Sequence, residues 1–317
     1  MSEENSNWER GVLEKLALSA VQEQRRARHW GIFFKVLGFG YLFFILFLVM
    51  GWMGDKVDGS LAGKHTALIE LSGVIAADSN ANADNLIGSL QDAYKDKNTA
   101  AVILRCNSPG GSPVQAGLVN DEMRRLRGLH PDIPLYVVVE DMCASGGYYI
   151  AAAADKIYVN KASIVGSIGV LMDGFGFTGT MQKLGVERRL MTAGKNKGFM
   201  DPFSPINPRQ EEFTRNMLEN IHQQFIDVVK QGRGKRLKET EDTFSGLFWT
   251  GDKAIQMGLA DDIGSVDSVA RDVIKVENVV DFTTHEGLAD RLAKKFGAGV
   301  ASAFPGFGAQ LGGVTLR

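Results

Sequence analysis

Cysteine is scarce in this chain, with only Cys106 and Cys143 among 317 residues. Two cysteines exclude a disulfide-built scaffold. Each ends an apolar run just before a glycine-rich turn, so both are expected as buried free thiols, with a bridge between them the alternative in an extracytoplasmic domain. Histidine is scarce too: His29, His65, His130, His222 and His285. None sits at a strand–turn junction, and no His/Cys/Asp spacing suggests a metal site. Charge of one sign is not in excess. The formal net charge of −2 implies no basic face for nucleic acid. No G-x-G-x-x-G or Walker loop follows a strand, and no internal repeat is visible. These absences point away from metal, nucleotide and nucleic-acid chemistry, and no cofactor is expected.

One stretch lacks charge altogether. Residues 36–53 read VLGFGYLFFILFLVMGWM. About eighteen residues at about 1.5 Å each span roughly 27 Å, close to the hydrocarbon thickness of a bilayer. Arg25, Arg26, Arg28 and Lys35 stand upstream, and Asp55, Lys56 and Asp58 downstream. The positive-inside rule therefore places the N-terminus in the cytoplasm and the rest of the chain outside. Trp30 and Trp52 flank the span as interfacial anchors. The run is long for a cleaved signal peptide and its leader is longer than a usual basic n-region, so an uncleaved signal anchor is expected. Before it, Trp8, Val12, Leu16 and Val21 are spaced as on a surface-lying amphipathic helix; a solvated cytoplasmic helix with no special role reads the same way.

From His65 onward strands and helices alternate. Strands are expected at 66–74, 100–106, 135–140, 156–159 and 164–171, and helices at 84–94, 113–126, 145–154 and from Asn207 to about Lys230. The run AAVILRC at 100–106 is apolar throughout, as in a strand buried on both faces. Asn207-Pro208 opens the last helix with a cap and a first-turn proline, and Gln210 is placed to bond back. The alternation predicts an α/β layered domain with a mostly parallel sheet.

Three turns carry chemistry. Asn107-Ser108-Pro109-Gly110-Gly111 follows a buried strand and opens a helix. Adjacent glycines let backbone N–H groups converge on one oxygen, as an oxyanion hole requires; a plain tight turn reads the same way. Ala144-Ser145-Gly146-Gly147 also joins a strand to a helix. Such a turn displays the serine above the sheet in the manner of a nucleophile elbow, and helix capping by Ser145 is the alternative. Gly194-Lys195-Asn196-Lys197 holds two lysines, and a solvated lysine loop is the alternative reading. A serine hydroxyl needs a base, and lysine serves only where burial or nearby cations keep it neutral. A Ser145–Lys197 dyad is thus a peptidase hypothesis that needs no histidine. Ser167, in Gly166-Ser167-Ile168-Gly169, could hold the amine by a hydrogen bond.

Together these residues resemble the signal peptide peptidase A family of bacterial membrane-bound serine peptidases. NSPGG at 107–111, ASGGYYIA at 144–151, ADKI at 154–157, GSIGV at 166–170, AGKNK at 193–197 and TGDKAIQMGLADDIG at 250–264 stand in the family's order. The resemblance covers about residues 66–275 and implies a ClpP/crotonase-like fold behind a single transmembrane helix. It implies Ser145 as nucleophile, Lys197 as general base, oxyanion donors from Gly111 and Gly146, and Ser167 supporting the lysine; Lys195 adds a second amine beside Lys197. It further implies self-association, because this chain carries one repeat where long members carry two. The implied substrates are signal-peptide remnants at the bacterial inner membrane, with the peptidase domain periplasmic.

The layout expected is a cytoplasmic segment at 1–35, the anchor at 36–53 and a stalk at 54–64. A peptidase domain at 65–280 and a C-terminal helix with a Gly-rich tail at 281–317 follow. The alternatives are a stomatin-partner-type membrane peptidase, a non-catalytic oligomeric scaffold of the same fold and a crotonase-type acyl-CoA enzyme. The last is disfavoured by the export topology.

Overall fold

The computed structural model describes residues 23–26, 28–47 and 63–284. The amphipathic segment expected before residue 23, the end of the anchor beyond Phe47, most of the stalk and the C-terminal helix and tail lie outside the described residues. The chain divides into two units, 1–60 and 61–317. In the first, helix α1 (Glu23–Phe47) is 25 residues long and long and apolar enough to cross a membrane. Its aromatic and aliphatic side chains from Trp30 to Phe47 are exposed.

The second unit is built on an eight-stranded sheet. Its elements are β1 (His65–Ile75), α2 (Ala83–Lys95), β2 (Thr99–Gly111), α3 (Pro113–Leu129), β3 (Leu135–Ala144) and α4 (Gly146–Ala151). Then come β4 (Lys156–Val159), β5 (Ile164–Gly166), α5 (Thr178–Lys183) and α6 (Pro208–Arg233). The last are β6 (Phe248–Thr250), α7 (Gly251–Gln256), β7 (Asp262–Ile263), α8 (Val266–Ser268) and β8 (Val279–Asp281). The order is β6-β5-β3-β2-β1-β8, with β4 and β7 branching from β3. Every pairing is parallel except β5 with β6.

Two strands run further than their apolar runs suggest. β2 continues through the Asn107–Gly111 turn, and β3 extends to Ala144. Both extra stretches find parallel partners, Gly110 and Gly111 on β1 and Met142 to Ala144 on β5. The strand expected at 164–171 stops at Gly166, because Ser167 turns into the left-handed region at φ 52°. The helix expected at 145–154 is likewise shorter, ending at Ala151. Asn207 caps α6 as expected, accepting from the Arg209 N–H, but Gln210 instead accepts from the Met200 N–H at 3.2 Å.

One face of the sheet packs against α2, α3 and α4, with α6 laid against α4, and holds the main core, including Ile69, Leu104, Val137, Tyr148 and Phe225. A smaller cluster of Leu68, Ile103, Val138, Tyr158 and Val269 covers the other face. α6 is fastened at its end by Arg233, whose side chain is fully buried. Its guanidinium donates to the Gly258 carbonyl at 2.8 Å and pairs with Asp261 at 2.9 Å. Asp261 also pairs with Arg236 and accepts from the Ile157 N–H at 2.7 Å. Burial alone would raise this carboxyl, but the Arg233 hydrogen bond and the two positive charges outweigh it and hold it below the usual range.

Asp261→Asn leaves the buried Arg233 charge uncompensated and is expected to cost about 3 kcal/mol of stability at pH 7. A carboxyl depressed in the folded state stabilises above its unfolded value, and that stabilisation is lost as pH falls through the folded value. Urea unfolding from pH 7 to pH 3 should therefore show the wild type converging on the variant at the acid end. A constant difference between them would refute this assignment.

Candidate active site

Four of the five residues expected at the site come together at the C-terminal ends of β2, β3 and β5. Ser145 follows β3 directly and has φ 51° and ψ −123°. A non-glycine residue in that region stores about 1–3 kcal/mol of strain and persists only when its surroundings enforce it. Here the Ser145 N–H donates to the Gly166 carbonyl at 2.8 Å, and its own carbonyl accepts from the Tyr149 N–H at 2.9 Å. Its side chain makes no capping hydrogen bond to α4. The capping alternative is therefore not realised, and the hydroxyl is left to the cavity.

The glycine turn of β2 lies against this elbow. A Cβ on Gly110 would stand 2.6 Å from the Gly146 nitrogen and 2.7 Å from the Ser145 Cβ. A Cβ on Gly146 would stand 3.2 Å from the Gly111 nitrogen. The backbone nitrogens of Gly111 and Gly146 thus belong to one cluster with the serine. Gly146 opens α4, so its N–H has no carbonyl four residues back within the helix. Gly111, at φ 150°, leaves no room for a side chain, since a Cβ would meet the Ile75 carbonyl oxygen at 2.1 Å.

Buried Ser108 was not singled out from the sequence, yet it holds the turn. Its hydroxyl donates to the Gly73 carbonyl at 2.6 Å and accepts from the Gly110 N–H at 3.1 Å. A serine before Pro-Gly-Gly was the available signal, because serine hydroxyls commonly bond to nearby turn backbone. On the other side, Ser167 donates its N–H to the Leu247 carbonyl at 2.8 Å. His222 on α6 lies 3.2 Å from the Ile168 carbonyl, next to Ser167. No local pattern in the sequence connects His222 with that turn.

These residues open on a cavity of about 660 Å³. Ser145, Gly146, Gly111 and Ser167 lie along its wall, and Leu171, Leu218, Ile221 and Phe225 make it apolar. Lys197 does not line it. It is exposed, in a turn where its N–H donates to the Gly194 carbonyl at 3.1 Å. Lys195 is exposed as well. Between Leu171 and Ile206 no residue is buried, although Leu171, Phe175, Leu184, Met191 and Ile206 are each at least 72% exposed. The segment has its own contacts, with Phe177 stacked on Phe203 at 5.4 Å and Arg188 paired with Asp201 at 3.4 Å. It is an arm built within itself that presents apolar side chains to its surroundings.

Among the described residues no cluster of His, Cys, Asp or Glu could hold a metal ion. The thiols of Cys106 and Cys143 are free and buried, as expected.

A mostly parallel sheet with one strand leading into a strained serine elbow, facing a glycine turn over an apolar cavity, defines a ClpP/crotonase-like fold with a hydrolytic layout. Residues 128–280 match the model of peptidase family S49. A candidate protease of Methanocaldococcus jannaschii is 32% identical over 244 residues, 74% of this chain and 77% of the relative. A candidate signal peptide peptidase SppA of Enterococcus faecium is 29% identical over 240 residues, 73% of this chain and 69% of the relative. The chain belongs to peptidase family S49, the signal peptide peptidase A family. A third relative, the Na(+)/H(+) antiporter NhaA of Brucella melitensis, is 46% identical over 184 residues. That match takes in 58% of this chain, and the chain spans a quarter of the antiporter's length (25%).

Proposed function

We propose that this chain is a membrane-anchored serine endopeptidase that degrades signal-peptide remnants after secretion. The observation that carries the reading is Ser145. It is held in a strained elbow, free of any capping bond, beside two glycine nitrogens and over an apolar cavity. Ser145 attacks the peptide carbonyl while neutral Lys197 removes its proton. The oxyanion settles against the N–H groups of Gly111 and Gly146. Lys197 then protonates the leaving amine, and a water activated by the same lysine releases the acyl-enzyme. Ser167 supports the lysine.

The reading places Lys197 of one copy at the cavity of another. Within one copy Lys197 is exposed and does not line the cavity that holds Ser145. The arm that carries Lys197 exposes the apolar side chains that such a contact would bury. The site is complete only in a homo-oligomer, which also encloses the chemistry.

The anchor runs from the apolar part of α1 through residue 53, with the arginines at 25, 26 and 28 on the cytoplasmic side. Residues 65–280 then form a periplasmic peptidase domain at the bacterial inner membrane, and 54–64 are the stalk. Apolar, extended peptides released in that membrane fit a cavity walled by leucine, isoleucine and phenylalanine.

The test is hydrolysis of a synthetic signal peptide by the detergent-purified chain beside Ser145→Ala. Cleavage by the wild type alone is expected. Cleavage that survives in Ser145→Ala would overturn the assignment.

A further inference from the structure

The proposed mechanism leaves two nucleophilic side chains unused, Cys106 and Cys143. Both are fully buried, and their sulfurs are 2.7 Å apart. They are the only cysteines in the chain, so neither has a competing intrachain partner. Cys106 lies on β2 just before the glycine turn, and Cys143 lies on β3 two positions before Ser145. In the sheet Cys106 faces Val139 and Ser108 faces Cys143, with a register shift between. That shift brings the two thiols together diagonally on the core face. The Cys106 sulfur also sits 3.6 Å from where a Cβ on Gly147 would be, beneath the first turn of α4.

The geometry points to a disulfide between Cys106 and Cys143 that ties the glycine turn to the serine elbow. It is a modification site for a small-molecule disulfide oxidant, of which oxidised glutathione is the probe. One cysteine thiolate attacks a glutathione sulfur and expels one glutathione thiolate. The second cysteine thiolate attacks the mixed disulfide and expels the other. Two S–H bonds are lost, one S–S bond forms, and the two electrons and two protons leave with two molecules of reduced glutathione. A covalent S–S bond is about 2.05 Å long, so the sulfurs need move only a few tenths of an ångström each.

Burial also raises the Cys143 thiol, and its contact with Cys106 adds to the effect. The closed protein therefore resists exchange, and oxidation proceeds when the elbow opens or before the core closes in folding. The bond closes a loop of about 36 residues and restricts the unfolded chain accordingly. It joins β2, which ends at Gly111, to β3, which leads into Ser145, so it holds the two halves of the site at fixed separation. The inference stands on the strand geometry and does not depend on the substrate, the base or the membrane topology.

The experiment takes the full chain in detergent, incubates it with oxidised glutathione a few degrees below its unfolding midpoint, and denatures it in N-ethylmaleimide. Intact mass is then read beside a dithiothreitol-treated sample. The expected product is about 2 Da lighter than the dithiol, carries neither maleimide nor glutathione, and runs as a monomer on a non-reducing gel. Its unfolding midpoint should lie roughly 5–10 °C above that of the reduced sample. Cys143→Ser, if it folds, should gain nothing from the oxidant. Two maleimide adducts, a persistent glutathione adduct, a disulfide between chains, or equal midpoints for oxidised and reduced protein would each overturn the proposal.

Discussion

Co-expressed Ser145→Ala and Lys197→Ala chains are expected to recover about a quarter of wild-type peptidase activity, while each variant alone is inactive. If one copy supplies the serine and another the lysine, random mixing pairs an intact serine with an intact lysine at about one site in four. If both came from the same copy, every site would lack one or the other and mixing would restore nothing. The expectation rests on three features of the single chain. Ser145 lines the cavity and Lys197 does not. Lys197 is exposed. The arm from Leu171 to Ile206 buries none of its residues while presenting large apolar side chains. Activity assayed on mixed oligomers separated from homogeneous ones measures the recovered fraction directly.

Gly110→Ala should reduce peptide hydrolysis by at least about 10²-fold, the usual cost of losing one oxyanion donor. Gly110 has φ 99°, a conformation that alanine adopts only under strain. The added Cβ would stand 2.6 Å from the Gly146 nitrogen, 2.7 Å from the Ser145 Cβ and 2.8 Å from the Ala144 carbonyl oxygen. All three are backbone or near-backbone atoms that cannot rotate away. The methyl group therefore pushes the glycine turn off the elbow, separating the Gly111 and Gly146 donors and obstructing the serine. The measurement is kcat/KM on a peptide ester, with circular dichroism to confirm that the variant is folded. A folded Gly110→Ala with wild-type kcat/KM would show that this turn does not contribute to the oxyanion site.

The elbow and the glycine turn were legible in the sequence because each is a short motif at the end of an apolar strand. Ser145, Gly146, Gly111 and Ser167 do converge on one cavity. The long helices α2, α3 and α6 were also legible, having enough turns for a periodic pattern and recognisable caps. What escaped were pieces too short to carry a period. β6, β7 and β8 have three residues or fewer, and their partners are remote in sequence. The end of β5 escaped because the left-handed turn at Ser167 falls within an otherwise strand-like run. The contact between His222 and the Ile168 carbonyl depends on where α6 packs in the tertiary fold, which no local motif encodes. Lys197 could be picked out by its motif, but its standing apart from the serine within one chain is a property of the arm's packing.

The most direct measurement is cleavage of a synthetic signal peptide by assembled, detergent-purified wild type beside Ser145→Ala, Lys197→Ala and Lys195→Ala. The account predicts that cleavage is lost in the first two variants and kept in Lys195→Ala. Cleavage retained in Lys197→Ala and lost in Lys195→Ala would make Lys195 the base and contradict the Ser145–Lys197 dyad, and no cleavage by the assembled wild type would contradict the proposed function itself.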